Sequence, residues 1–358
     1  MRIVLSGYYG FDNVGDEAIL YSIIQALREE DATTQITVLS NQPSKTEHTY
    51  GVDAVNRWSM KEIMSTLKQA DGLISGGGSL LQDETGFRSI PYYTGIMKMA
   101  QMQGKPVFVY AQGMGPVNKG YNRQIVKHVL KRTQITVRDQ ASQDLLRTIG
   151  LKNNIEIVPD PVLGISLQQQ QSDWWETQAF QAPVMTVSVR DWNSPVNFKE
   201  KIAKSLDQAA NHGAAIVFVP MHGEHDDHTS REVAGMMSQK SYIAPFDATI
   251  DEKITIIGKS NLLVGMRLHA LIFSSVMETP FIALSYDPKI DAFAHISGQP
   301  VAGHVNENSW DESSLYQLIT DKLEHEQEEI TRLREKVLPL RQKAQATARQ
   351  AIQYFKSH

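Results

Sequence analysis

The strongest constraint on this chain is an alternation that runs once and then starts again. Short apolar runs rich in β-branched residues fall at 2–6, 36–40, 72–75, 107–111, 135–137 and 155–158, and amphipathic segments at 17–30, 61–69, 93–103 and 141–148 fill the gaps. Strand, helix, strand repeated in this way predicts a parallel sheet wound with helices on both faces. After Asp173-Trp174-Trp175 the pattern restarts, with strands expected at 184–189, 215–219, 262–264 and 281–284 and a helix at 198–211. The polar, Gln-rich stretch 167–172 reads as the linker between the two halves. The expectation from this alternation is therefore an α/β protein of two Rossmann-like domains, 1–168 and 173–330; two such halves facing across a cleft would be the GT-B architecture, an orientation that periodicity alone does not give. A charged helical tail, 331–358, is expected to be broken at Pro339 and to pack back across the domains. A length of 358 residues accommodates this.

Composition narrows the chemistry. With 35 Lys and Arg against 40 Asp and Glu, the net charge of -5 lacks the basic field of a nucleic-acid binder. The absence of Cys removes thiolate nucleophiles, disulfides and Cys-based zinc sites. No stretch has the run of apolar residues that a membrane span or a signal peptide needs, so a cytoplasmic protein is expected. The segment 119–132 sets Lys119, Arg123, Lys127, Lys131 and Arg132 on one side of a helix and Ile125, Val126, Val129 and Leu130 on the other. That pattern fits packing on the sheet and leaves peripheral contact with the inner membrane face open.

In an open α/β sheet, ligands sit beyond the carboxyl ends of the strands. The first such loop is Ser6-Gly7-Tyr8-Tyr9-Gly10-Phe11-Asp12-Asn13-Val14-Gly15-Asp16-Glu17. Its glycine spacing is not G-x-G-x-x-G, and the end of the second strand offers no acidic residue for a ribose, which disfavours a dinucleotide. Two further loops, Ser75-Gly76-Gly77-Gly78-Ser79 and Gln112-Gly113-Met114-Gly115-Pro116, follow the fourth and fifth runs. Gly10, Asn13, Glu17, Gly77, Gly78, Gln112 and Arg138 thus form one ligand-binding wall. Asp16 and Glu17 also complement a helix dipole, and Asp16 is placed to face the cleft as well.

In the second half, Arg190 and Arg267 each follow a buried strand, and two guanidinium forks suit a small ligand with two anionic groups. His269 follows at the head of an apolar helix, and Lys289 lies near another strand end. The run from Met221 to His228 holds imidazoles and carboxylates, but they belong to one local segment that reads as a polar surface loop, so no metal is assigned.

These residues resemble the polysaccharide pyruvyl transferase family, and in particular its members that pyruvylate a bacterial cell-wall polymer for S-layer anchoring. The matching pieces are Gly7-Tyr8-Tyr9-Gly10-Phe11 with Gly15-Asp16-Glu17, Gly76-Gly77-Gly78-Ser79-Leu80-Leu81-Gln82-Asp83, Gly113-Met114-Gly115-Pro116, Val137-Arg138-Asp139 and Gly265-Met266-Arg267-Leu268-His269. The resemblance implies a GT-B-like fold and transfer of pyruvate from phosphoenolpyruvate, without a cofactor, to two hydroxyls of one sugar. The product it implies is a cyclic ketal, with release of phosphate. It further implies a lipid-diphosphate-linked disaccharide acceptor, pyruvylated on O4 and O6 of N-acetylmannosamine. Donor binding carries over to Arg190, Arg267, Leu268 and His269. On this reading His269 moves a proton or stabilises the departing phosphate, and Asp16 is the base on the acceptor side. Two alternatives stay open: a nucleotide-sugar glycosyltransferase, for which Glu278 would be the ribose-binding carboxylate, and a glycan-binding protein that makes no bond.

Overall fold

The computed structural model describes residues 1–358 apart from 85, 87, 153, 167–170 and 182, so most of the expected linker lies outside the described residues. The chain forms two compact units, Met1–Ser166 with Leu340–His358, and Leu167–Pro339.

The first unit runs β1 (Arg2–Ser6), α1 (Val14–Glu30), β2 (Gln35–Ser40), α2 (Pro43–Tyr50), β3 (Asp53–Asn56), α3 (Met60–Gln69), β4 (Gly72–Ser75), α4 (Ser89–Met102), β5 (Val107–Gln112), α5 (Gly120–Leu130), β6 (Gln134–Val137), α6 (Gln140–Thr148) and β7 (Ile155–Ile157). Among the described residues the strands form one parallel sheet in the order β3-β2-β1-β4-β5-β6-β7. Every residue of β4 and β5 is buried, as expected for central strands covered on both faces. Right-handed crossovers carry α3, α4 and α5 over the same face. There Ile63, Leu67, Ile96, Met97, Val126 and Val129 join one apolar core.

The second unit runs α7 (Asp173–Gln178), β8 (Val184–Ser188), α8 (Phe198–Asn211), β9 (Ala215–Phe218), α9 (Gly223–Met236), β10 (Ser241–Ile243), α10 (Ile250–Gly258), β11 (Leu262–Gly265), α11 (Leu268–Val276), β12 (Phe281–Ser285), α12 (Pro288–Ile296), β13 (Val301–His304), α13 (Glu312–Glu324) and α14 (Glu326–Lys356). Its parallel sheet has the order β10-β9-β8-β11-β12-β13. In each sheet the strand order reverses direction once, between β1 and β4 and between β8 and β11. Each reversal opens a crevice at the carboxyl ends of those strands.

Pro339 does not break the tail. Helix α14 continues through it, with the part up to Pro339 in the second unit and the part from Leu340 in the first. Proline removes one N–H from the helix ladder, a cost that packing on both sides outweighs here. In the first unit, the Phe355 ring occupies the space a side chain at Gly72 would need, and Arg349 pairs with Glu30 at 3.0 Å. Strands β3, β10 and β13 add to what the apolar runs predicted, as does α2. All three strands lie at or next to a sheet edge, and none has a buried residue, so they lack the apolar signature of a central strand.

Candidate functional site

In the first unit, the loop after β1 is braced from below. Asn13 caps α1, its side chain accepting from the Gly15 N–H at 3.1 Å. The Glu17 carboxylate accepts from the Gly10 N–H at 2.7 Å and from the Tyr50 hydroxyl at 2.6 Å. Burial raises the pKa of Glu17, and those two hydrogen bonds oppose the rise. Gly10 has φ +78, and a Cβ there would run into Ser40 and the backbone of Asn41 and Gln42. Gly77 lies against Ile19, and a Cβ on Gly78 (φ +77) would stand 2.8 Å from the Asp16 carboxylate. Asp16 therefore sits where the β1 and β4 loops meet, at the crevice. Its charge, after burial itself, helps hold the buried Tyr9 phenol well above its ordinary pKa.

A residue not singled out from the sequence organises this end of the sheet. Arg57 follows β3 and is buried. It donates to the Gly7 carbonyl at 2.9 Å and to the Tyr93 hydroxyl at 3.2 Å. Its guanidinium lies 4.6 Å from the Tyr92 ring centre, 5.0 Å from Phe11, 5.3 Å from Trp58, 5.6 Å from Tyr93 and 6.0 Å from Tyr8. Tyr8 and Phe11 stack at 4.1 Å, and Tyr8 and Trp58 are exposed at 41% and 58%. The result is an open aromatic surface fixed on a hidden cation. Burial pushes Tyr93 up to about 12, with Arg57 pulling the other way.

Arg138 reaches across the next loops. It donates to Ser79 Oγ at 3.0 Å, lies 3.5 Å from Asp139 and 3.9 Å from Asp160, and rests over Gly113. Gln112 is fully buried beneath that loop, and neither atom of its side-chain amide finds a partner among the described residues.

In the second unit, Arg190 and Arg267 follow β8 and β11, neighbouring strands on either side of the crevice, with Ser188 paired to Gly265. Arg267 is the residue immediately before α11, and its side chain does not cap the helix. Its Nε and one terminal nitrogen donate to the Asp226 carboxylate at 2.9 and 2.5 Å. Asp226 is 1% exposed and also accepts from the Met221 N–H at 3.2 Å. From Gly223 onward the run 221–228 is therefore the first turns of helix α9 and not the polar loop expected, with Asp226 turned inward to bind Arg267. Among the described residues no group of side chains could hold a metal ion. His222, at the head of α9, has a lowered pKa, first from burial and then from Arg267, with His225 and Arg190 adding to it against Asp226.

Arg190 is held by rings. Its guanidinium lies 4.6 Å from the Tyr286 ring centre and 5.2 Å from Trp192, and these two rings are 4.8 Å apart. Lys289 approaches the same Tyr286 ring at 5.9 Å and pairs with Asp287 at 3.0 Å. Leu268 and His269 are the first two residues of α11 and are partly exposed. Lys253 is another residue the sequence did not single out. It is buried and donates to the carbonyls of Pro220, Phe246 and Pro245 at 2.8, 2.9 and 3.3 Å, tying down the loop that leads to Asp226. Burial lowers its pKa to about 8. Glu278 lies beyond the far end of α11 from Arg267 and is paired with Arg334 at 2.6 Å.

The model of the polysaccharide pyruvyl transferase family matches residues 13–288. The chain belongs to that family. It is accordingly a transferase, with a pyruvyl transfer role in polysaccharide biosynthesis. Among relatives, it is similar to the amylovoran biosynthesis protein AmsJ of Erwinia amylovora, at 22% identity, with 81% of this chain and 84% of that one covered. Solved structures show the GT-B-like fold. A putative UDP-N-acetylglucosamine 2-epimerase of Listeria monocytogenes has a TM-score of 0.70 at 11% identity, covering 100% of this chain and 96% of that one. HepE of Anabaena, solved with UDP and glucose, has a TM-score of 0.64 at 12% identity, and both chains are covered in full. Among the described residues, no helix is long and apolar enough to cross a membrane.

Proposed function

We propose that the protein transfers pyruvate from phosphoenolpyruvate to O4 and O6 of an N-acetylmannosamine in a lipid-diphosphate-linked cell-wall polymer precursor, in the service of S-layer anchoring. The observation that carries this reading is the pair of arginines on neighbouring strand ends, each preset by its own support: Asp226 for Arg267, and Trp192 with Tyr286 for Arg190. Phosphoenolpyruvate bears a carboxylate and a phosphate, and two oriented forks match them. Lys289 and His222 add charge or hydrogen bonds to the same anion. The donor carries its own activated carbon and leaving group, so the proposed reaction calls for no cofactor.

In the proposed reaction, the methylene carbon of the donor takes a proton, and positive character develops at the carbon that bears the phosphate. One sugar hydroxyl adds to that carbon and loses its proton. The second hydroxyl then displaces inorganic phosphate and closes the ring, leaving a methyl group where the methylene stood. His269 serves the proton delivery or the phosphate departure, and Asp16 takes the hydroxyl proton. The aromatic surface over Arg57 suits a sugar ring, whose C–H faces pack on π systems while the hydroxyls stay free. The position and pairing of Glu278 weigh against the nucleotide-sugar alternative.

The test is phosphate release from phosphoenolpyruvate with and without the N-acetylmannosamine-containing lipid-diphosphate disaccharide, with the sugar product weighed by mass spectrometry. Acceptor-dependent phosphate with the mass gain of one pyruvyl ketal is expected. Absence of release, with thermal stabilisation by a nucleotide sugar, would replace the reading with glycosyl transfer.

A further inference from the structure

The outer face of α3, α4 and α5 differs from the rest of the molecule in both charge and polarity. These helices carry Lys61, Lys68, Lys98, Arg123 and Lys127 against the single acid Glu62, in a chain whose net charge is -5. Lys119 and Lys131 flank α5 and are exposed. Side chains that would ordinarily be buried stand among these charges: Met102 is 72% exposed, Tyr121 59%, Met60 43%, Met64 38% and Ile125 36%. Helix α5 was expected to turn Ile125 toward the sheet. Instead, the buried Asn122, which donates to Asp83 at 2.9 Å, shares the inner stripe with Val126, Val129 and Leu130, and Ile125 falls at its margin.

The three helices lie side by side. The Gln103 amide of the α4 end donates to the Met64 sulfur of α3 at 3.7 Å, and the Gln101 amide of α4 donates to the Val129 carbonyl of α5 at 2.9 Å. The exposed methionines, Tyr121 and Ile125 therefore stand on three adjacent helices that also carry the lysines. A solvated helix face needs only the charges. Flexible apolar side chains interspersed with lysines whose stems are themselves apolar form a surface that is both attracted to anionic headgroups and able to insert below them.

We infer that the α3–α4–α5 face of the first unit docks on an anionic lipid bilayer. The charge complementarity selects that occupant: a protein partner with an acidic surface would account for the lysines but not for apolar tips spread over three helices. Apart from Lys119, the last residue of the loop after β5, these residues lie outside the strand-end loops, so the inference stands or falls separately from the identity of the sugar acceptor.

Flotation of the full-length protein with vesicles of phosphatidylcholine containing roughly one-quarter phosphatidylglycerol tests it. Binding is expected to these vesicles, to be absent with pure phosphatidylcholine, and to be released by raised salt. The variant Lys61→Glu, Lys68→Glu, Lys119→Glu, Lys131→Glu changes only exposed side chains and is expected to lower the bound fraction about tenfold or more. Met102→Ser with Tyr121→Ser should weaken binding while leaving its salt dependence in place. Failure of the wild-type protein to float overturns the inference. So does equal binding to neutral vesicles, or unchanged binding by the charge-reversed variant with its thermal midpoint intact.

Discussion

The crevices of the two units are built alike and equipped in opposite ways. Each lies where the strand order reverses, and each has an arginine beside it. In the first unit Arg57 is buried beneath rings and spends its hydrogen bonds on Gly7 and Tyr93, so around it the outward surface is aromatic and its positive charge is hidden. In the second, Arg190 and Arg267 stand at the strand ends, held from the side by rings and by Asp226, and remain partly exposed. The same residue type is a strut in one crevice and a candidate ligand-binding group in the other. What separates the roles is whether its partners close over it.

Substitutions at five positions would break or sharpen that contrast. The largest effect is expected at Arg267→Ala, with a loss in kcat/KM on the order of 1000-fold and the secondary structure retained by circular dichroism. His269→Ala should follow it, and near-normal turnover in either would remove that residue from the mechanism. Arg57→Leu should do the reverse. Loss of its two hydrogen bonds and its ring contacts is expected to destabilise the first unit by roughly 3 kcal/mol in urea unfolding, because what it supports is the loop. Unchanged stability together with lost turnover would mean that Arg57 acts on substrate directly. Asp226→Asn keeps the shape and removes the charge that orients Arg267. We expect KM for phosphoenolpyruvate to rise about tenfold, with kcat affected far less, and partial recovery in Asp226→Glu.

The smallest effect concerns Glu17, whose folded pKa is raised. Its contribution to stability is fully present below the ordinary carboxylate pKa and is lost as pH rises through the folded value. Stability measured from acidic toward neutral pH should thus fall in part through this group, and Glu17→Gln should flatten that slope. An identical slope in the variant would assign the pH dependence elsewhere.

Much of this frame was legible in the sequence. The central strands are apolar on both sides, the Gly-rich loops follow them, and the Arg-Leu-His segment follows a buried strand. Asp226 was hidden because it sits in a run of His and Asp whose local pattern reads as solvated, and only the fold reveals that one of those carboxylates turns inward. Lys253 looked like an ordinary helix charge, since nothing in the order of residues announces that Pro220, Pro245 and Phe246 will converge on it. Arg57 was hidden for a similar reason: its rings come from the β1 loop, from its own neighbour Trp58 and from α4, segments that meet only once the sheet has formed.

The path of α14 has a consequence for how the protein is made. The first unit includes Leu340–His358, and Phe355 fills the gap beside Gly72 in its central strand β4. A chain leaving the ribosome presents residues 1–166 before the rest of these units, yet the first unit lacks a piece of its core until α14 is translated. The second unit, encoded in the middle, is contiguous and has all its parts earlier. Vectorial synthesis thus reverses the usual order, and the unit that starts first is the last to be completed.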